Sequence, residues 1–218
     1  MTVVPFHTND DVNDALTGAV HHLRAGGVLA HPTETVYGLG CRLEEHALQR
    51  LSALKQRGEG KPFVVLVNGT HMLDALRASV SPPAKELMAE FWPGPLTLVL
   101  GSARTDLPGA IQSESGVAVR WTSHPGLQRL IAALGEPMTS TSANVSTLPP
   151  ARSAEEIAPW WPSEVASGEM MVLDGGTLGD QLPSTVVDCS TDVPRVLRAG
   201  AIPLEQLRAT VPRLFGVK

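Results

Sequence analysis

Apolar residues recur at three- and four-residue steps at Val12, Ala15, Leu16, Ala19, Val20 and Leu23. That spacing predicts an amphipathic helix, capped by Asn9 or Asp10 and stopped at Gly26-Gly27. The same periodicity predicts helices over Glu45–Gln56, His71–Ala78, Pro83–Phe91, Leu127–Leu134, Glu155–Trp160 and Leu204–Leu214, the last interrupted by Pro212. Short continuous apolar runs of the buried-strand type lie at Val28–Ala30, Phe63–Val67, Leu96–Leu100 and Val117–Trp121. Extended segments follow at Met138–Thr141, Met171–Leu173, Val186–Asp188 and Val196–Arg198. Strands and helices alternate through most of the chain, which predicts an α/β fold. The late strands follow one another without helices, so the expected sheet is mixed. No repeat or low-complexity linker breaks the pattern. Ser146–Arg152 is the one candidate hinge and reads as a loop, so residues 1–218 are expected to form one domain.

Composition narrows the function classes. The net charge of −5 argues against a surface devoted to a nucleic-acid backbone, although a local basic cleft is still allowed. Only 4% of residues are aromatic, too few to supply a base-stacking platform readily. Cys41 and Cys189 lack metal-ligand spacing and read as buried thiols of a reducing compartment. The seven histidines show no HxH or HxxxH spacing, so no metal centre is expected. With neither a secretory signal nor an apolar run near the ~20 residues of a membrane span, the expected location is the cytoplasm.

The candidate chemistry lies in polar segments that follow strands. His31-Pro32-Thr33-Glu34-Thr35 comes directly after a buried strand, where open α/β sheets place their ligands. His31 itself reads as a satisfied buried histidine. Lys55, Arg57 and Lys61 fall at a helix end interleaved with Gly58 and Gly60. They read either as a solvated basic helix end or as a bending loop that grips phosphate or carboxylate. Ser140-Thr141-Ser142-Ala143-Asn144 is either a turn or a row of donors to phosphate oxygens. Arg120 ends a strand, where its planar fork suits a carboxylate; Ser184-Thr185 and Arg198-Ala199-Gly200 are similar in kind. The chain has no Gly-x-Ser-x-Gly elbow, Gly-x-Gly-x-x-Gly fingerprint or Walker loop.

In order, Pro32-Thr33-Glu34-Thr35-Val36-Tyr37-Gly38-Leu39, Lys55-x-Arg57 with Lys61-Pro62, Trp92-Pro93-Gly94-Pro95-Leu96-Thr97, Val117-Ala118-Val119-Arg120, Ser140 to Asn144, Ser184 to Asp188 and Arg198-x-Gly200 resemble the YrdC-like family of threonylcarbamoyl-AMP synthases. The resemblance runs from about Val28 to Arg198. It implies a twisted sheet with flanking helices around a deep electropositive cavity. In that cavity threonine and bicarbonate would form N-carboxythreonine, which attacks the α-phosphate of ATP and releases pyrophosphate with Mg²⁺. By similarity, Thr35, Arg120, Ser140 and Ser184 fall at threonine-site positions, and Arg57, Lys61, Ser142 and Arg198 at ATP-site positions. Lys55, Arg57, Ser142 and Asn144 match the polar tetrad of active members. The resemblance also implies a separate tRNA-modifying complex that receives the product, and leaves weak RNA binding open.

Two departures stand out. About twenty residues follow Arg198, which matches the short form of the family, and Leu66 stands where some members have a histidine near threonine. The competing readings are an RNA-binding or ribosome-maturation protein and a paralogous carbamoyl or adenylyl transferase of the same fold.

Overall fold

The computed structural model describes residues 3–56, 62–104, 106–145 and 148–216. The chain opens with β1 (Val3–Pro5), α1 (Asn9–Arg24), β2 (Val28–His31), β3 (Gly38–Gly40), α2 (Glu45–Leu54) and β4 (Val64–Val67). A 3₁₀ segment, Thr70–Leu76, leads to β5 (Ala78–Ser79), α3 (Pro82–Phe91), β6 (Leu96–Ser102), β7 (Gln112–Ser113) and β8 (Gly116–Trp121). Next come α4 (Pro125–Leu134), β9 (Met138–Ser142), α5 (Ala154–Ile157), α6 (Pro162–Ser167) and β10 (Met170–Asp174). The last elements are β11 (Thr185–Asp188), β12 (Arg195–Arg198) and α7 (Leu204–Thr210).

The strands form one sheet in the order β1-β10-β2-β3-β9-β4-β8-β6-β11-β12, with β5 on β6 and β7 on β8. β1/β10, β10/β2, β4/β8 and β6/β11 are parallel, and the other pairs are antiparallel. The mixed sheet with flanking helices agrees with the fold class expected from the sequence.

Differences from the sequence reading have local causes. Thr8, rather than Asn9 or Asp10, caps α1: its hydroxyl accepts the Asp11 N–H, and the Asp11 carboxylate accepts the Thr8 N–H in return. The helix expected over His71–Ala78 is a 3₁₀ segment that ends at Arg77, whose φ of 44° turns the chain into β5. α5 is only four residues long, and α6, with Pro162 at its start, was not anticipated. α7 stops at Thr210 because Pro212 holds Val211 in an extended conformation (φ −127°, ψ 90°).

β3 was also missed, because Gly-Leu-Gly has poor strand propensity. Its position explains its composition. A Cβ on Gly38 would lie 2.6 Å from Ser140 Oγ and 2.8 Å from His31 Cε1; one on Gly40 would lie 2.2 Å from the Thr139 carbonyl oxygen. Only glycine lets β3 fit between β2 and β9. Gly40→Ala should therefore destabilise the protein by at least about 1–3 kcal/mol, because backbone must move to admit the methyl group. Thermal denaturation reads this as a lowered midpoint; an unchanged midpoint would contradict the fit.

His31 closes β2 with no solvent exposure. Its Nδ1 lies 3.3 Å from the Pro32 carbonyl oxygen and its Nε2 lies 3.4 Å from Ser140 Oγ. Burial lowers its pKa to about 4, against a smaller upward pull from the Pro32 carbonyl, with His124 and Arg120 adding small downward effects. The folded state thus refuses a proton that the unfolded chain accepts below about pH 6.5. The resulting stability loss begins as pH drops through that value and is complete below about 4. His31 alone should cost about 2 kcal/mol between pH 7 and 5. NMR should find its ring untitrated above pH 5; a midpoint near 6.5 would contradict its placement.

Candidate functional site

One row of paired residues crosses the middle of the sheet. Met138 pairs with Leu66, Leu66 with Arg120, Arg120 with Thr97, Thr97 with Val186, and Val186 with Arg198. Paired residues on adjacent strands project from the same face. Two positions along, Val64 pairs with Ser140, and Gly38 pairs with Ser142. The alternating residues Val65, Leu98, Val119 and Val187 point the other way and have no exposure. One face therefore belongs to the core, while the other gathers polar groups around a cavity of about 190 Å³. Arg120, Ser140, Ser142, Ser184 and Arg198 all line it.

Arg120 is 7% exposed. Its Nη2 lies 2.9 Å from Glu34 Oε1 and donates to Thr35 Oγ1 at 3.1 Å; its Nε donates to the Gly94 carbonyl at 3.3 Å. Glu34 is held in turn by the Thr122 hydroxyl at 2.5 Å and the Ser123 N–H at 3.1 Å. Burial alone would raise the Glu34 pKa. The Arg120 charge and the hydrogen bonds from Thr122, Arg120 and Ser123 together outweigh it and hold the carboxyl below its ordinary value.

The loop that presents Glu34 is folded by Thr33. The Thr33 hydroxyl oxygen accepts the N–H groups of Thr35 (3.0 Å) and Val36 (3.2 Å) and donates to the Val36 carbonyl (2.7 Å). This local turn aims Glu34 and Thr35 at Arg120.

At the far side, Arg198 clasps Ser184. Its Nε and Nη2 donate to the Ser184 carbonyl at 3.2 and 2.8 Å, and Nη2 also meets Ser184 Oγ at 3.0 Å. Ser184 Oγ lies 2.8 Å from Thr97 Oγ1. Burial first, and then the Arg120 charge, lower the Arg198 pKa. A guanidinium stays protonated at neutral pH despite such a shift, so both arginines are cations here. Gly200 permits the clasp: a Cβ there would lie 2.2 Å from the Pro183 carbonyl oxygen.

Lys55, 7% exposed, follows α2 and reaches across to β9. Its Nζ donates to the carbonyl oxygens of Ser142 (2.8 Å) and Asn144 (2.5 Å) and to Asn144 Oδ1 (2.6 Å). Ser142 Oγ donates to the same Oδ1 at 2.7 Å, and Asn144 Nδ2 donates to the Leu148 carbonyl at 2.7 Å. The ammonium thus locks the turn that carries Ser142 and Asn144.

The structure brings together Thr35, Lys55, Arg120, Ser140, Ser142, Asn144, Ser184 and Arg198 from the residues singled out in the sequence. Arg57 and Lys61 lie outside the described residues. Leu66 lines the cavity beside Arg120. Three contributors stand in the quoted motifs without a role assigned from sequence: Thr33, Thr97, and Glu34 as the partner of Arg120. A carboxylate within a polar run carries no signal that separates an arginine's partner from a solvated charge. Cys41 and Cys189 are buried free thiols, and burial raises their pKa values to about 11 and about 12.

Among the described residues no cluster of three or more His, Cys, Asp or Glu could hold a metal ion. Among the described residues the donor set is hydroxyls and cations, with one carboxylate, Glu34, tied to Arg120, and it fits anionic ligands.

A family model for Sua5/YciO/YrdC proteins, described as telomere recombination, matches residues 21–200. The chain is 36% identical over 191 residues to the threonylcarbamoyl-AMP synthase of Bacillus subtilis, covering 87% of this chain and 54% of that protein. It is 39% identical over 180 residues to the synthase of Chromohalobacter salexigens, covering 80% and 92% respectively. Against the crystal structure of P. abyssi Sua5 complexed with L-threonine, the TM-score is 0.85 at 30% identity, covering 99% of this chain and 62% of that one. The chain therefore spans about half of the B. subtilis relative and nearly all of the C. salexigens one. An ordered set of motifs, a matching fold and these relatives agree: the chain belongs to the Sua5/YciO/YrdC family.

Proposed function

We propose that this chain is a threonylcarbamoyl-AMP synthase, a nucleotidyltransferase that converts L-threonine, bicarbonate and ATP to L-threonylcarbamoyladenylate and pyrophosphate for the N6-threonylcarbamoyladenosine modification of tRNA. The observation that carries this reading is the pair of guanidinium groups, Arg120 and Arg198, held with three serine hydroxyls around one cavity. Two anionic reactants must meet there. Residues 1–218 form the catalytic unit, and the family match lies within it at residues 21–200.

Arg120 binds the threonine carboxylate, with Thr35, Ser140 and Ser184 around it. Arg198 and Ser142, with Arg57 and Lys61, take the ATP phosphates. Lys55 and Asn144 keep the Ser142 turn in place. The carbamate oxygen of N-carboxythreonine attacks the α-phosphorus, and the bond to the pyrophosphate oxygen breaks. The attacking oxygen is already an anion, so alignment and charge neutralisation count for more than a strong base. The cationic, hydroxyl-rich site supports this chemistry. Mg²⁺ comes with ATP, bound by phosphate oxygens and water; among the described residues no carboxylate cluster could cage it.

The product passes to a separate tRNA-modifying complex in the cytoplasm. Among the described residues no helix is long and apolar enough to cross a membrane, which is compatible with that location.

With ATP and Mg²⁺, the purified chain should release pyrophosphate only when L-threonine and bicarbonate are both present. Equal release with alanine or serine would instead assign a different transferase of this fold. Lys55→Met should lower the rate by about 10²-fold or more, by analogy with a lost transition-state donor. Circular dichroism should still report a folded chain. Undiminished turnover in that variant would remove Lys55 and its turn from the site.

A further inference from the structure

Arg120 has more donors than the described residues use. Its Nε and Nη2 are committed to Gly94, Thr35 and Glu34. Among the described residues none accepts a hydrogen bond from Nη1, and Arg120 lines the cavity. One edge of the guanidinium is thus fixed to protein and the remaining nitrogen is left for a ligand. Glu34 is the only charged group in that fixing set. It is anchored to a corner of the fold rather than to the cavity. Thr122 and Ser123 bind its two oxygens, the Thr122 hydroxyl accepts the His124 N–H, and His124 Nδ1 caps α4 through the Leu127 N–H.

A carboxylate beside an anion-binding arginine carries an electrostatic penalty for the anion. That penalty is useful if the correct ligand brings a positive charge of its own. A zwitterionic amino acid offers a carboxylate to Nη1 and an ammonium to the surrounding negative potential, whereas inorganic phosphate offers only negative charge. Bicarbonate and ATP, the other reactants of the proposed function, make stray anions the natural competitors for this subsite.

We propose that Glu34 is a positioning and specificity-determining residue, because its anchored carboxylate grips one edge of buried Arg120, aims the other at the cavity, and offsets its charge so that the subsite selects an amino acid over a bare anion. The inference rests on the proposed use of Arg120 as the threonine anchor. Replacing Glu34 with a neutral amide leaves a buried guanidinium without its counter-charge, a state that favours capture of any available anion.

Calorimetric titration tests this directly. L-Threonine is titrated into the wild-type chain and into Glu34→Gln, each with and without inorganic phosphate as competitor. In Glu34→Gln the threonine Kd should rise about 10-fold or more, about 1.4 kcal/mol. Phosphate should compete at least about threefold more tightly than in the wild type, within the opposing effect expected of a lost counter-charge. The two affinities must move in opposite directions, which a merely structural role would not produce. Thr122→Val, which removes only one of the bonds that anchor Glu34, should give the same pattern more weakly and stands in if Glu34→Gln fails to fold. Parallel weakening of both ligands, or no change in either, overturns the role of Glu34 while leaving the proposed activity standing. A wild-type chain that binds no threonine overturns both.

Discussion

The Arg120 guanidinium is 7% exposed in a strand flanked on both sides by others. A buried cation is tolerated only when it is paired and hydrogen-bonded. Its three partners come from two loops: Glu34 and Thr35 in the loop after β2, and Gly94 in the loop before β6. The need to satisfy this one charge explains much of the local structure. It accounts for the Thr33-centred turn and for the Thr122-Ser123 corner that grips Glu34. It also ties segments far apart in sequence to a single point on the sheet.

Around that point the two faces of the sheet divide the work. Val65, Leu98, Val119 and Val187 bury one face, and the aliphatic packing there fixes the strand register. Register then decides which side chains share the opposite face. A one-residue slip of β8 would send Arg120 into the core and Val119 into the cavity. The Arg198–Ser184–Thr97 chain and the Lys55–Ser142–Asn144 lock hold the outer groups in position. Such fixed dipoles and charges cost little reorganisation when an anionic reactant arrives, which suits chemistry that depends on positioning.

The main strands were legible because short aliphatic runs with no periodic polar positions have few other uses in a chain of this composition. The motif residues that line the cavity were legible as blocks; their convergence was implied by the resemblance alone, since it depends on the pairing of strands far apart in sequence. β3 escaped notice because Gly38 and Gly40 are selected by close approach rather than by strand propensity. β1 is three residues long and exposed at both ends, too short for a period to register. Thr97 closes a motif block but carries no role from sequence, and its contact with Ser184 appears only once β6 and β11 are paired. Glu34 needed its partner to be located before its charge acquired a meaning.

A structure of the chain crystallised with L-threonine and an ATP analogue addresses the central claim directly. The threonine carboxylate should lie within hydrogen-bond distance of Arg120 Nη1, and the phosphates between Ser142 and Arg198. Threonine seated away from Arg120, for example against the apolar cleft of Leu73, Met88 and Trp92, would contradict it.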